Sequence, residues 1–254
     1  KPFTMTCTGT GTYSRAHTTA ALSPNDWTDV VNFDTGALPT TGDTCVIGNT
    51  AVDVSWNLGG NMSVFIVMRL ASHTGRIGLP STSTAGYPEY RTQFLELAAT
   101  AITVESGPTD FTGTVRIKST AGSAVTLVVK SDQGVSLDSE PIEVYGLPAS
   151  SIIDIVGAGI AVAPIAGQVA TVATLIAQNA AVRLTSGVTL TTATFRNVQA
   201  RVECSWTTLT MYDGGNVEVA GTAGGGAAGT IVYKGTMNWR STGGPGSAPV
   251  VGNG

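Results

Sequence analysis

The sequence predicts an all-β chain: a single-stranded right-handed parallel β-helix with an extended N-terminal arm and a Gly-rich C-terminal tail. Three observations carry that expectation. Between Thr174 and Val219 the chain breaks into short pieces, among them Thr174–Gln178, Ala181–Leu184, Val188–Thr191, Thr208–Met211 and Val217–Val219. Several alternate apolar and polar residues, as strands with one buried face do. Leu175 is echoed by Phe195, Val182 by Val202 and Met211 by Ile231, a step of about 20 residues that lies in the range of solenoid repeats. No stretch shows a capped 3.6-residue period, so helices should be nearly absent.

Residues 1–44 form the arm and a cap for the helix. The first part is rich in Thr, Ser and Gly with no sustained apolar period, which suits an arm that orders against a partner. Gly9-Thr10-Gly11 is no phosphate loop, because Ser14 stands where the motif needs Gly and no convincing strand precedes it. Residues 45–240 form the solenoid, in eight or nine rungs of roughly 20 residues. Val64–Leu70 is the most apolar run and reads as a strand covered on both faces. A loop insertion follows at about 73–93. From Phe94 the pieces Phe94–Leu97, Ala101–Val104, Thr114–Ile117, Val125–Val129, Ile142–Tyr145 and Ile152–Val156 continue the pattern, separated by Gly, Ser, Asp or Pro. Gly221–Gly229 is a loop. Residues 241–254, with five Gly and two Pro, form a flexible tail too poor in apolar surface to order itself.

Two segments resemble known proteins. The pattern running from Trp27 through Gly36, Leu38, Pro39, Gly42, Asp43, Thr44, Val46 and Ile47 resembles the opening segment of many β-helical surface and virion proteins. In those it leads into the first rung and caps the core. Gly78-Leu79-Pro80 with Tyr87, Glu89, Tyr90 and Arg91 looks like a recurring feature of phage β-helical structural proteins. The resemblance implies a bacteriophage virion protein, located on the capsid surface or alternatively on the tail or an extracellular surface.

Composition narrows the classes. Of 254 residues, 42% are hydrophobic, enough for a sizeable core, and only 12% are charged, against roughly 25% in ordinary soluble domains. Such a neutral, hydroxyl-rich surface suits an assembly part or extracellular protein better than a cytosolic enzyme. A net charge of −4 argues against a nucleic-acid footprint. Cys7, Cys45 and Cys204 give neither a disulfide framework nor a CxxC metal pair, and read as small buried hydrophobes. The opening Lys1-Pro2-Phe3-Thr4 has no apolar signal region, so the expectation is a removed leader or release by another route. Ile155–Val182 carries no charge and is long enough to cross a bilayer, yet Gly157, Gly159, Pro164, Gly167 and Gln168 interrupt it. Buried rungs explain the same residues.

No catalytic constellation emerges, and no cofactor or metal is expected. The 17 carboxylates are scattered; a 20-residue rung would make Glu96 and Arg116 neighbours, but no carboxylate pair is signalled. His17 and His73 have no ligand-spaced neighbours. Arg116, Lys118 and Lys130 could stack into a small basic patch that reads as a solvated face. The expected partner contacts are Arg76, Tyr87, Tyr90 and Arg91, because Tyr and Arg are favoured interface anchors and loops carry function more than rungs do. The sequence therefore suggests a non-enzymatic virion structural protein, a capsid decoration or cement protein docking on the major capsid protein or other virion proteins, oligomeric in the particle, with no nucleic-acid or membrane partner. The alternative is a tail fibre or tailspike component that binds, and could cleave, host glycans.

Overall fold

The computed structural model describes residues 4–8, 12–13, 27, 30–48, 51–54, 64, 66–78, 94–105, 115–131, 141–212, 214–219, 230–234, 237–241 and 251–253. The fold is an all-β parallel solenoid of about six turns, with no α-helix among the described residues. Rungs of roughly 20 residues were expected; the register shows uneven steps, 26 residues from Thr126 to Ile152 and 16 from Thr192 to Thr208. Two compact units divide it, Lys1–Ala121 and Gly122–Gly254.

The first unit holds β1 (Thr4–Thr8), β2 (Thr12–Tyr13), β3 (Thr44–Gly48), β4 (Ile66–Arg69), β5 (Leu95–Leu97), β6 (Ala101–Glu105) and β7 (Val115–Ser119). Strands β3, β4 and β6 stack in parallel register, so Cys45, Val67 and Ile102 form one inward column and Ile47, Arg69 and Val104 the next. A second column runs through the bridges Val54–Ile77–Val115, and β5 pairs with β7. Strand β1 runs antiparallel to β3, and β2 antiparallel to β1.

Just before β3, the segment that carries the resemblance folds as a compact turn. Trp27 is fully buried edge-on against Phe33, their ring centroids 6.0 Å apart. Asp43 accepts hydrogen bonds from the Thr40 amide at 2.7 Å and the Thr40 hydroxyl at 3.1 Å, while Gly42 supplies a left-handed φ of 109°. This Asx-type closure fixes the entry of the chain into the first rung.

The second unit contains β8 (Thr126–Lys130), β9 (Ile142–Tyr145), β10 (Ser151–Val156), β11 (Gly159–Val162), β12 (Ala170–Leu184), β13 (Val188–Val202), β14 (Ser205–Met211), β15 (Gly215–Val219), β16 (Thr230–Tyr233), β17 (Met237–Ser241) and β18 (Val251–Asn253). One parallel sheet stacks β8, β10, the first half of β12, the first half of β13, β14, β16 and β18. The other stacks β9, β11, the second halves of β12 and β13, β15 and β17. Alternation follows from the period of two in a strand: Leu127, Ile153, Leu175, Ala193, Leu209 and Ile231 are buried, and the residues between them face outward. Near the C-terminus, Val251–Asn253 pairs with Ile231–Tyr233.

The bend between the two sheets is made by residues in the left-handed conformation. Gly157 (φ 69°), Asn179 (48°), Asn197 (51°) and Gly214 (84°) occupy this corner on successive rungs. Asn tolerates the conformation better than other residues with a Cβ, and Asn197 Nδ2 donates to Asn179 Oδ1 at 2.8 Å. The corner is thus a hydrogen-bonded side-chain ladder as well as a backbone kink.

Three expectations change. The echo of about 20 residues slides the register by two: Leu175 pairs with Ala193 and Val182 with Ala200, while Phe195 pairs with Ala177 and Ile231 with Leu209. A shift of two keeps each side chain on its own face, so inside and outside are right and the neighbours wrong. The apolar run at Val64–Leu70 is covered on one face only, since Ile66 and Met68 are half-exposed while Val67 and Arg69 are buried. Cys45 is disulfide-bonded rather than a free buried hydrophobe, and β1 sets Cys7 opposite it in register; β1 approaches from the arm, which sequence spacing alone does not reveal. Cys204 is free and buried as expected. The uncharged stretch 155–182 runs from the end of β10 through β11 into β12, with turns at 157–158 and 163–169, and no described helix is long and apolar enough to cross a membrane.

Replacing Asn197 by Ala should lower the unfolding free energy by about 1–2 kcal/mol, the cost of a Cβ in the left-handed region plus the lost amide bond, whereas Asn197→Gly should cost less. Phe195→Ala, which empties a fully buried site, should cost about 3–5 kcal/mol. Equilibrium denaturant unfolding of the three variants reads both.

Candidate binding face

The outer surface of the first sheet of the second unit is built by register. Its first column is Thr126, Ile152, Thr174, Thr192, Thr208 and Thr230. The second is Val128, Asp154, Ile176, Thr194, Thr210 and Val232. Rungs lie about 4.8 Å apart and the columns, two residues apart along a strand, about 6.6 Å apart. The face is therefore a regular lattice of β-branched side chains, the residue types that pack best on a pleated surface. Thr192 Oγ1 donates to the Ala173 carbonyl at 2.9 Å, which fixes its rotamer. Ile152 and Ile176 remain 39% and 40% exposed, apolar spots within the hydroxyl array.

A third column borders the lattice at the Asn corner. Lys130, Val156, Gln178 and Arg196 are in register, and Tyr212 and Lys234 continue the line one residue beyond the paired Met211 and Tyr233. The Arg196 guanidinium carbon lies 3.8 Å from the centre of the Tyr212 ring, and Lys234 Nζ lies 5.7 Å from it. Both distances are within cation–π range. Arg196 and Lys234 are exposed and Tyr212 is half-buried. Among the described residues neither cation has a carboxylate partner, so the ring holds two positive charges, one from the rung on either side of it.

The outer surface of the second sheet differs in kind. Glu143, Arg183, Arg201 and Glu218 lie along one column in register, which the buried Ala161 interrupts between Glu143 and Arg183. Arg201 Nε also meets Glu203 Oε1 at 2.9 Å. Such mixed-sign, part-exposed pairs contribute little stability each, about 0–1 kcal/mol, but they keep this face charged and wet.

In the first unit the polar chemistry is internal. Arg69 points inward between Ile47 and Val104 and is 3% exposed. Its Nε donates to His73 Nδ1 at 3.2 Å, Nη1 to the Glu105 carbonyl at 2.9 Å, and Nη2 to the His73 carbonyl at 2.5 Å. An acceptor at Nδ1 places the imidazole proton on Nε2, which faces the Val52 carbonyl at 3.0 Å. Burial pushes the His73 pKa down to about 4; the Val52 contact opposes this and the Arg69 charge adds to it. Burial likewise lowers Arg69 to about 10, still cationic at neutral pH. A Cβ on Gly75 would collide with the Val52 carbonyl and with His73 Nε2, so the turn needs a glycine there. This cluster ties the turn after β4 to neighbouring backbone and is structural.

Of the residues expected at a partner contact, Tyr87, Tyr90 and Arg91 lie outside the described residues. Arg76 is exposed, and its amide donates to Asp53 Oδ1 at 2.8 Å. His17 also lies outside. The neighbour of Glu96 is Lys118, not Arg116: the two pair in register and Lys118 Nζ donates to Glu96 Oε1, because the local rung step is 22 residues rather than 20. Arg116 and Lys118 do not form the solvated basic face expected of them. Glu96 compensates Lys118, Arg116 is 8% exposed, and Lys130 belongs to the third column of the second unit. No cluster of three or more His, Cys, Asp or Glu able to hold a metal occurs among the described residues. Burial raises the Cys204 thiol to about 12, so it is inert near neutral pH.

His73 is neutral when folded down to about pH 4, whereas in the unfolded chain it protonates near pH 6.5. The unfolded state thus binds the extra proton between these values, and stability falls as pH drops through that window. The expected loss from this group is about 3 kcal/mol. His73→Gln should flatten that part of a stability–pH profile measured by denaturant unfolding; an unchanged slope would show that His73 is not the titrating group. No protein family matches the chain, and neither the curated proteins nor the solved structures contain a match.

Proposed function

We propose that this chain is a non-enzymatic structural protein that works by laying one face of its solenoid on a larger assembly, in the setting of a phage capsid as a decoration or cement protein. The observation that carries the reading is the regular β-branched face of the second unit. Its two columns present one carboxylate, Asp154, and no base among the described residues, and they hold exposed Ile152 and Ile176. A rigid, nearly uncharged surface of this kind loses little side-chain entropy on docking, because β-branched side chains are already stiff. The turn around Trp27 and Asp43, whose residues resemble those of β-helical virion proteins, supports the capsid setting. The Cys45 disulfide fits a protein that ends up outside a reducing cytosol.

Gold-labelled antibody against the chain on purified particles tests this reading. Regular labelling of the shell is the expected outcome, and Thr194→Glu combined with Thr210→Glu should abolish attachment while shifting the melting temperature by only a few degrees. Labelling of a tail tip, or of no particle, would reject decoration. A second reading, glycan binding by a fibre or surface protein, is favoured by one observation, the Arg196–Tyr212–Lys234 cluster at the edge of the same face.

A further inference from the structure

We infer that the third column of the second unit is a track for an acidic polysaccharide, with a sugar carboxylate or sulfate held by Arg196 and the next acidic group by Lys234. The inference rests on the glycan reading and specifies its ligand class. The stacked geometry is the starting point. A guanidinium lying 3.8 Å over a phenol ring uses its flat face for that contact. Its N–H donors lie in the guanidinium plane, so they stay available at the rim, in the fork geometry that accepts a planar anion with two parallel bonds. The ring also restrains a long side chain that would otherwise lose rotamer entropy on binding. Arg196 thus resembles a pre-oriented anion receptor more than a solvated surface charge.

The surroundings choose among anions. Arg196 and Lys234 stand two rungs apart, on either side of the Tyr212 rung, and the only other base in the column, Lys130, lies three rungs from Arg196. A chain carrying net charge −4 that places on one ring two cations with no carboxylate partner among the described residues attracts an anion there and repels a dense polyanion elsewhere. Nucleic acid, with a phosphate at every step, is held by clustered Lys and Arg, which this column lacks. The groups beside the cations are amides and hydroxyls: exposed Gln178, Asn179 and Asn197, then Thr194 and Thr210 of the neighbouring column. These donors and acceptors, spaced one rung apart, match sugar hydroxyls. A sparsely charged, hydroxyl-rich polymer running across the rungs fits both sets.

Titration calorimetry on the full chain tests the assignment with four probes: oligogalacturonate, chondroitin sulfate oligosaccharide, a neutral maltooligosaccharide of equal length, and a single-stranded DNA oligomer. The expected result is binding of one or both acidic glycans, weakened by salt. Arg196→Ala and Tyr212→Ala should each weaken it about tenfold or more, as loss of a charged hydrogen bond implies. Arg196→Lys should recover only part of the affinity. Arg196→Glu, at an exposed position where the fold is indifferent, should abolish binding, and Arg201→Ala on the opposite sheet should leave it unchanged. If the neutral oligosaccharide binds as tightly as the acidic ones, the acidic assignment fails while glycan binding stands. If no glycan binds, both fail. DNA binding as tightly as the glycans, or acidic-glycan binding indifferent to Arg196→Glu, would also overturn the assignment.

Discussion

The second unit depends on a single backbone constraint: four successive rungs turn from one sheet to the other at one corner, and each must do so at the same height as its neighbours. Left-handed backbone conformation at Gly157, Asn179, Asn197 and Gly214 makes the turn. Because these residues stack, the strands on either side enter their sheets in register. That register delivers the buried columns through Leu175 and Val182 and the outer columns through Thr174, Ile176 and Gln178. Slip one rung by one residue and every side chain changes face. The Asn179–Asn197 amide bond is therefore small in energy and large in consequence.

Given that register, the two sheets acquire opposite characters from the same alternation. One carries a β-branched, nearly uncharged lattice edged by an aromatic–cation column; the other carries Glu143, Arg183, Arg201 and Glu218 in a mixed-sign line. Both rest on the same kind of apolar interior, so either outer surface can change without disturbing the core. The first unit follows a different strategy. It takes a guanidinium into its interior and satisfies it with two carbonyls and a neutral imidazole, an arrangement that stabilises only while every bond is made.

The architecture was legible in the sequence because burial on one face leaves a period of two, and turns demand Gly, Asn, Pro or Asp at intervals. Asn179 and Asn197 show how far that legibility goes. Each interrupts a strand pattern by one residue, and both strands continue past it. The binding face was less legible. Arg196, Tyr212 and Lys234 are sixteen and twenty-two residues apart, and a uniform repeat of about 20 assigns each of them a different neighbour. Tyr212 and Lys234 directly follow the last paired residues of their strands, Met211 and Tyr233, whereas Arg196 lies inside β13, one residue past its last pairing with β14. Arg69 escaped notice for another reason. Its neighbours Ile66, Val67, Met68 and Leu70 are all apolar, so no alternation marks which face is inward.

Uneven rung length, seen in the register, has a bearing on descent. The described connections from the second sheet back to the first differ most, with residues 163–169 in one rung, 185–187 in the next and 203–204 in the one after. The strands they join keep their pairing throughout. Additions and deletions at these connections leave the interior untouched and cost little, since loop closure grows only slowly with length. A lineage built on this plan can therefore gain and lose residues between rungs until its members no longer share a common spacing, while the columns of side chains, and whatever they hold, pass on intact.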